Sequence, residues 1–165
     1  LEKLSEVLAN GHSALVFSQF TQMLAIIARE LTSLGLPFRS ITGETPLGQR
    51  STIVEEFSAD EQPGIMLLSL KAAGTGLTLT KADYVFLFDP WWNPAVENQA
   101  IDRTHRLGQD KTVLAYRMVI KDSIEERVLR LIQEKQVLFN TVIGEASDET
   151  VASRLTRDDL LSLLQ

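Results

Sequence analysis

The sequence predicts an α/β protein built on an open, mostly parallel sheet with helices on both faces. Short apolar or β-branched runs at 14–18 (ALVFS), 38–41 (FRSI), 64–69 (GIMLLS), 84–88 (YVFLF) and 112–119 (TVLAYRMV) alternate with amphipathic stretches of helical period. Ile65 to Leu68 and Tyr84 to Phe88 are continuously apolar. Strands covered on both faces require that pattern, and such strands belong to parallel sheets.

The helices between these runs carry end signals. The chain opens at Leu1, already within a helical pattern and without an initiator Met, as an excised fragment would. Residues 20–34 set Phe20, Leu24, Ile27, Leu31 and Leu34 at steps of three and four, with Gly35 as the stop. Thr45 and Pro46 read as the N-cap and first residue of a helix whose inward stripe is Ile53, Val54 and Phe57. Asn93 and Pro94 repeat that signal for a helix ended by Gly108. Ser123 and Glu126 form a capping box for a helix reaching about Asn140, with Ile124, Val128, Leu131, Ile132 and Leu138 on its apolar face. The predicted order is α-β-α-β-α-β-β-α-β-α. Gly144 to Thr150 is polar, acidic and aperiodic, so 1–144 forms the domain and 145–165 a linker with a short terminal helix.

Composition narrows the function. With 165 residues, 44% hydrophobic and 23% charged, the chain is one ordinary globular domain. The absence of cysteine removes disulfides, thiolate metal sites and a cysteine nucleophile, and fits an intracellular setting. No apolar run approaches the roughly 18 residues that span a bilayer, so a membrane protein is not expected. The net charge of -6, with no Lys/Arg block, argues against tight independent DNA binding while allowing a few placed phosphate contacts.

Four segments can carry chemistry. In QAIDRTHRLGQ (99–109), Gln99, Arg103 and Arg106 fall at i, i+4, i+7 on one helical face. Two guanidinium forks and an amide there suit a polyphosphate, although the same spacing serves an exposed basic face paired with Asp102 and Asp110. In SLKAAGTGLTLTKAD (69–83), Gly74 and Gly76 follow a buried strand, either letting the backbone approach a phosphate or making a tight turn. FDPWWNP (88–94) sets two tryptophans past a strand end, one suited to stacking and one to capping the core. FSQF (17–20) and ITGETPLGQR (41–50) put hydroxyl and amide groups at strand ends, a geometry shared by phosphate contacts and helix caps. His12 and His105 complete no metal site or catalytic triad.

In this order the segments resemble the helicase motifs of superfamily 2 in their Swi/Snf-type form: ALVFSQFTQML motif IV, LLSLKAAGTGLTLTKAD motif V and QAIDRTHRLGQ motif VI, with DPWWNP between the last two. The ending HRLGQ separates it from the RNA helicase lobes. Ala73 and Thr78 depart from the glycine and asparagine frequent in the family. The resemblance covers about residues 14 to 140 and implies the second RecA-like lobe of a DNA translocase ATPase, with 123–140 as its bracing helix. It implies that ATP lies between two lobes, the absent first lobe holding most of the nucleotide and Mg2+, since no G-x-x-x-x-G-K-[ST] loop is present. Arg103 and Arg106 then act as arginine fingers oriented by Gln99, and Gly74, Thr75 and Gly76 border the nucleotide. Ser18, Gln19, Thr42, Gly43, Ser69, Lys71 and Trp92 lie along one strand of double-stranded DNA. The competing reading is a nucleic-acid or protein binding module without catalysis, which has no need of Gln99, Arg103 and Arg106 together. The implied location is the nucleus in a eukaryote and the cytoplasm in a bacterium.

Overall fold

The computed structural model describes residues 1–73, 77–89, 111–124 and 126–130. Its elements are α1 (Glu2–Ala9), β1 (Ala14–Ser18), α2 (Thr21–Ser33), β2 (Phe38–Ile41), α3 (Leu47–Ala59), β3 (Ile65–Ser69), α4 (Leu70–Ala73), β4 (Tyr84–Leu87) and β5 (Leu114–Arg117). The strands form one sheet in the order β2-β3-β1-β4-β5, and every described pairing is parallel.

Alternation along the strands divides the core between the two faces. Ala14, Val16, Ile65, Leu67 and Phe86 face α1 and α2, meeting Leu4, Val7, Leu24, Ile27 and Leu31. Leu15, Phe17, Met66, Leu68, Val85 and Leu87 face the other way, with Phe57 of α3. β1 and β3 are buried along their whole length, as their unbroken apolar runs require.

Several boundaries differ from the sequence reading. Helix α3 starts at Leu47, with Pro46 rather than Thr45 at the cap. The Thr45 hydroxyl instead accepts the Thr42 N–H at 3.0 Å, closing the turn before the helix. Phe20 and Leu34 are the caps of α2, so both leave its buried stripe and stand exposed. Residues 70–73, read as loop, form a helical turn. The run at 112–119 contributes strand only over Leu114–Arg117. The capping box at Ser123 is half made: its hydroxyl accepts the Glu126 N–H at 3.3 Å. The Glu126 carboxylate turns to the Asp122 N–H at 2.7 Å and to Arg130 at 2.6 Å. The helix expected at 93–108, most of the bracing helix and the segment 145–165 lie outside the described residues.

The carboxyl end of α3 is strongly tied. Lys81 Nζ donates to the carbonyls of Asp60 at 2.7 Å and Gln62 at 2.8 Å, and sits 4.9 Å from the Phe57 ring centre. A cation there complements the helix dipole. The Gln62 N–H and then the Arg39 guanidinium hold the Asp60 carboxyl below its ordinary value.

Three substitutions probe these contacts. Phe57 is fully buried, so Phe57→Ala costs about 3–5 kcal/mol in urea unfolding. Leu47→Ala, at a largely exposed position, stays within about 0.5 kcal/mol. Because the folded value of Asp60 is depressed, its contribution is fully present above the ordinary aspartate value of about 3.9 and is lost as pH falls through the folded value. Urea midpoints measured between pH 5 and pH 2 therefore drop less steeply in Asp60→Asn than in the parent; equal slopes refute the assignment.

Candidate functional site

Parallel pairing brings all five strands to a common carboxyl edge, where open α/β sheets bind ligands. Ser18 pairs with Ser69, Ile41 with Leu68 and Phe17 with Leu87. One residue further, Thr42, Ser69, Ser18 and Phe88 stand abreast along the edge. The sheet thereby gathers Ser18, Gln19, Thr42, Gly43, Ser69 and, in α4, Lys71. Gly74, Thr75, Gly76, Trp92, Gln99, Arg103 and Arg106 lie outside the described residues.

The gathered groups divide by exposure. Gly43 and Lys71 are open to solvent, and Gln19 and Thr42 are half-buried. Ser18 and Ser69 are buried, and their hydroxyls serve the fold. The Ser69 hydroxyl accepts the Ala72 N–H at 3.3 Å, starting the turn of α4. Ser18 donates to Asp89 Oδ1 and accepts the Phe20 N–H at 3.0 Å. Asp89 Oδ2 also accepts the Gln19 N–H at 2.7 Å. Donation from Ser18 to a ligand thus requires its bond to Asp89 to open, whereas the Ser69 hydroxyl only accepts in its bond and keeps its O–H.

Two residues that the sequence reading did not single out hold this edge. One is Asp89. The other is Arg50, from the first turn of α3 and nearly buried, which donates from Nε to the Thr45 carbonyl at 2.9 Å. Its Nη2 reaches the Thr42 carbonyl at 3.2 Å and that of Gly43 at 3.4 Å. A planar fork can satisfy several carbonyls of one turn at once. The available sequence signal was a charged residue in two segments already marked, Arg50 at the end of ITGETPLGQR and Asp89 second in FDPWWNP.

At the amino edge His12, expected to complete no site, does gain a carboxylate partner: its Nδ1 donates to Asp83 Oδ2 at 2.6 Å. Lys111 Nζ lies 3.8 Å from the same oxygen, and the Tyr84 ring lies against His12. Asp83 is buried there, with Oδ1 unbonded. This pair is at the end of the sheet away from the gathered loops and ties β1 to β4. No group of three or more His, Asp or Glu among the described residues is arranged to hold a metal ion. A cavity of about 230 Å³ between α1 and α2 is lined chiefly by apolar chains such as Leu4, Met23, Ile27 and Phe86, with Lys3 and Glu30 as its charged side chains.

The Arg50 clamp is testable on the lobe itself. Arg50→Ala removes donors from three carbonyls and lowers stability by about 2–4 kcal/mol in urea unfolding. Amide exchange at Thr45, whose N–H bonds the Thr42 carbonyl, accelerates more than that of the β1 amides. Arg50→Lys recovers less than half of the loss, because an ammonium cannot span the turn. Full recovery by lysine would refute the fork geometry.

Comparison with known proteins agrees with this fold. The helicase conserved C-terminal domain model matches residues 1–108. The DNA repair protein RAD5 of Cryptococcus neoformans is 44% identical over 147 residues, which is 87% of this chain and 12% of that protein. The chain spans between 11% and 16% of the curated relatives to which it was compared. The C-terminal part of the Fun30 ATPase domain superposes with a TM-score of 0.75 at 37% identity, covering 79% of this chain and 42% of that one. The Sulfolobus solfataricus SWI2/SNF2 ATPase core domain gives a TM-score of 0.73 at 29% identity over 98% of this chain and 32% of that one. A match over most of the chain, joined to a shared parallel sheet, makes this chain a member of the helicase conserved C-terminal domain family with the RecA-like fold of Swi/Snf-type ATPase cores.

Proposed function

We propose that this chain is the second motor lobe of an ATP-dependent double-stranded DNA translocase. The observation that carries the reading is the row of polar turns along one sheet edge, Gln19, Thr42, Gly43 and Lys71, held from behind by Asp89 and Arg50. Half-buried amide and hydroxyl groups with a single exposed lysine suit contacts that position a phosphate backbone without reading its sequence. Trp92 completes the strand contact. Ser18 and Ser69 set the turns from which the others reach.

ATP is the substrate, bound between this lobe and a first lobe. Arg103 and Arg106 project from this side as fingers that stabilise charge developing on the transferred phosphoryl group, a contribution of roughly 10³ to 10⁵ in rate. Gln99 orients that face, and Gly74, Thr75 and Gly76 let backbone border the nucleotide. The described residues do not fit a magnesium site: they hold no cluster of metal-binding side chains, and both oxygens of Asp89 are engaged. We assign magnesium to the first lobe because this sequence carries no G-x-x-x-x-G-K-[ST] loop. Alternating closure of the two lobes steps the protein along DNA, in the nucleus of a eukaryote or the cytoplasm of a bacterium. No helix among the described residues is long and apolar enough to cross a membrane.

The isolated lobe is expected to fold and to show no DNA-stimulated phosphate release, because this sequence carries no G-x-x-x-x-G-K-[ST] loop. In the two-lobe protein, Arg103→Ala or Arg106→Ala lowers hydrolysis by orders of magnitude with DNA affinity changed only a few-fold, and lysine rescues poorly. Trp92→Ala lowers the DNA-stimulated rate more than the basal rate. Steady-state ATPase assays with and without duplex separate these roles. Full stimulated turnover in both arginine variants would remove the finger assignment.

A further inference from the structure

Thr45 and Pro46 carry the signal of a helix start, yet α3 begins beyond Pro46 and no side chain caps its first turn. The Thr45 hydroxyl makes one bond: it accepts the Thr42 N–H at 3.0 Å, and its own O–H donates to nothing. Its oxygen is therefore open to chemistry. Gly43, Glu44 and residues 46–49 are exposed and Thr45 is half-buried. Pro46 holds an extended backbone, with φ -56° and ψ 141°. Kinases that act on threonine before proline take such a segment in extended form, and Thr45 is the one Ser or Thr in the sequence that precedes a proline.

The same place is suited to hold the product. A phosphate on Thr45 stands at the amino end of a 13-residue helix, whose first N–H groups lack intrahelical partners and whose dipole favours negative charge. Arg50 points to the same place independently. It is nine-tenths buried behind the turn, with Nε on the Thr45 carbonyl and Nη2 on those of Thr42 and Gly43, while Nη1 makes no hydrogen bond. A guanidinium fork matches phosphate oxygens, and a phosphate competes for it with neutral carbonyls. The opposing charge in the turn is the exposed carboxylate of Glu44, which solvent screens.

We propose that Thr45 is a phosphorylation site that switches off DNA contact at the Thr42–Gly43 turn. In the step, Thr45 Oγ1 attacks the γ-phosphorus of ATP bound to a Ser/Thr protein kinase. The new O–P bond forms as the bond from that phosphorus to the β,γ-bridging oxygen breaks, ADP leaves, and the hydroxyl proton passes to the kinase's catalytic carboxylate. The phosphate brings a charge of about -1.5 to -2 at pH 7 beside Thr42 and Gly43, where it repels the phosphates of DNA. The consequence for DNA rests on the motor-lobe reading above; the modification itself does not.

The test treats the two-lobe protein with a proline-directed Ser/Thr kinase and Mg-ATP and maps the phosphate by peptide-fragmentation mass spectrometry. The parent is expected to gain a phosphate on Thr45. Pro46→Ala, which keeps the hydroxyl, gains about tenfold less; should it not fold, Thr45→Ala takes its place and gains none there. In steady-state ATPase titrations of the repurified phosphoprotein, the half-stimulating duplex concentration rises about tenfold or more, the maximal rate stays within about twofold, and phosphatase treatment restores the parent value. Amide exchange at Leu47 and Gly48 slows on phosphorylation, as it does only if the phosphate docks on the helix end. An unmodified Thr45 in the folded parent, an unchanged half-stimulating concentration or unchanged exchange at both amides overturns the proposal. The unmodified protein separates the two levels: if duplex does not stimulate it, the motor-lobe reading fails; if duplex stimulates it and its phosphorylated form equally, only the switch fails.

Discussion

Parallel pairing of β1 on both its edges is the constraint on which the lobe depends. Flanked by β3 and β4 and covered by α1 and α2 on one face and the α3 side on the other, β1 has no route to water for its backbone except through the ladder. The direction of the neighbouring chains is thereby fixed, and so is the edge at which they end. Residues distant in sequence, such as Thr42, Ser69, Ser18 and Phe88, arrive abreast without any local signal requiring it. The site is a product of register before it is a product of chemistry.

The sheet supplies position, but it leaves the turns at its edge without ladder partners. Buried side-chain bonds to backbone replace them. Arg50 gathers the carbonyls of 42, 43 and 45, the Ser69 hydroxyl receives the Ala72 N–H of α4, and Asp89 receives the N–H of Gln19. Arg50 and Ser69 are buried and Asp89 half-buried, and each is satisfied locally, the condition under which buried polarity is tolerated. Gly43 and Lys71 remain exposed because the groups behind them carry the folding requirement.

Much of this was legible in the chain. Unbroken apolar runs such as Ile65 to Leu68 gave the parallel sheet, and helical spacing found Leu24, Ile27, Leu31 and Phe57 in the core. Local patterns failed where a second segment decided the outcome. Thr45 looks like a cap until Thr42 takes its hydroxyl, and Phe20 belongs to the helical period until it becomes the cap itself. Asp89 and Ser18 are 71 residues apart, as are Asp83 and His12, so no spacing rule could pair them. Arginine at position 50 reads as surface charge because its carbonyl partners have no side-chain signature.

Helix α3 has a mechanical consequence. Its first turn is fastened by Arg50 to the loop at the carboxyl edge, and its last by Lys81 and Arg39 to the turn around Asp60 near the amino edge. Thirteen residues at about 1.5 Å each make a rod of roughly 20 Å joining the two rims of the sheet. A rod pinned at both ends cannot slide along its axis without breaking charged hydrogen bonds at one of them. The helix therefore behaves as a strut, and a displacement imposed on either rim is carried to the other as a rigid-body shift of the whole α3 side.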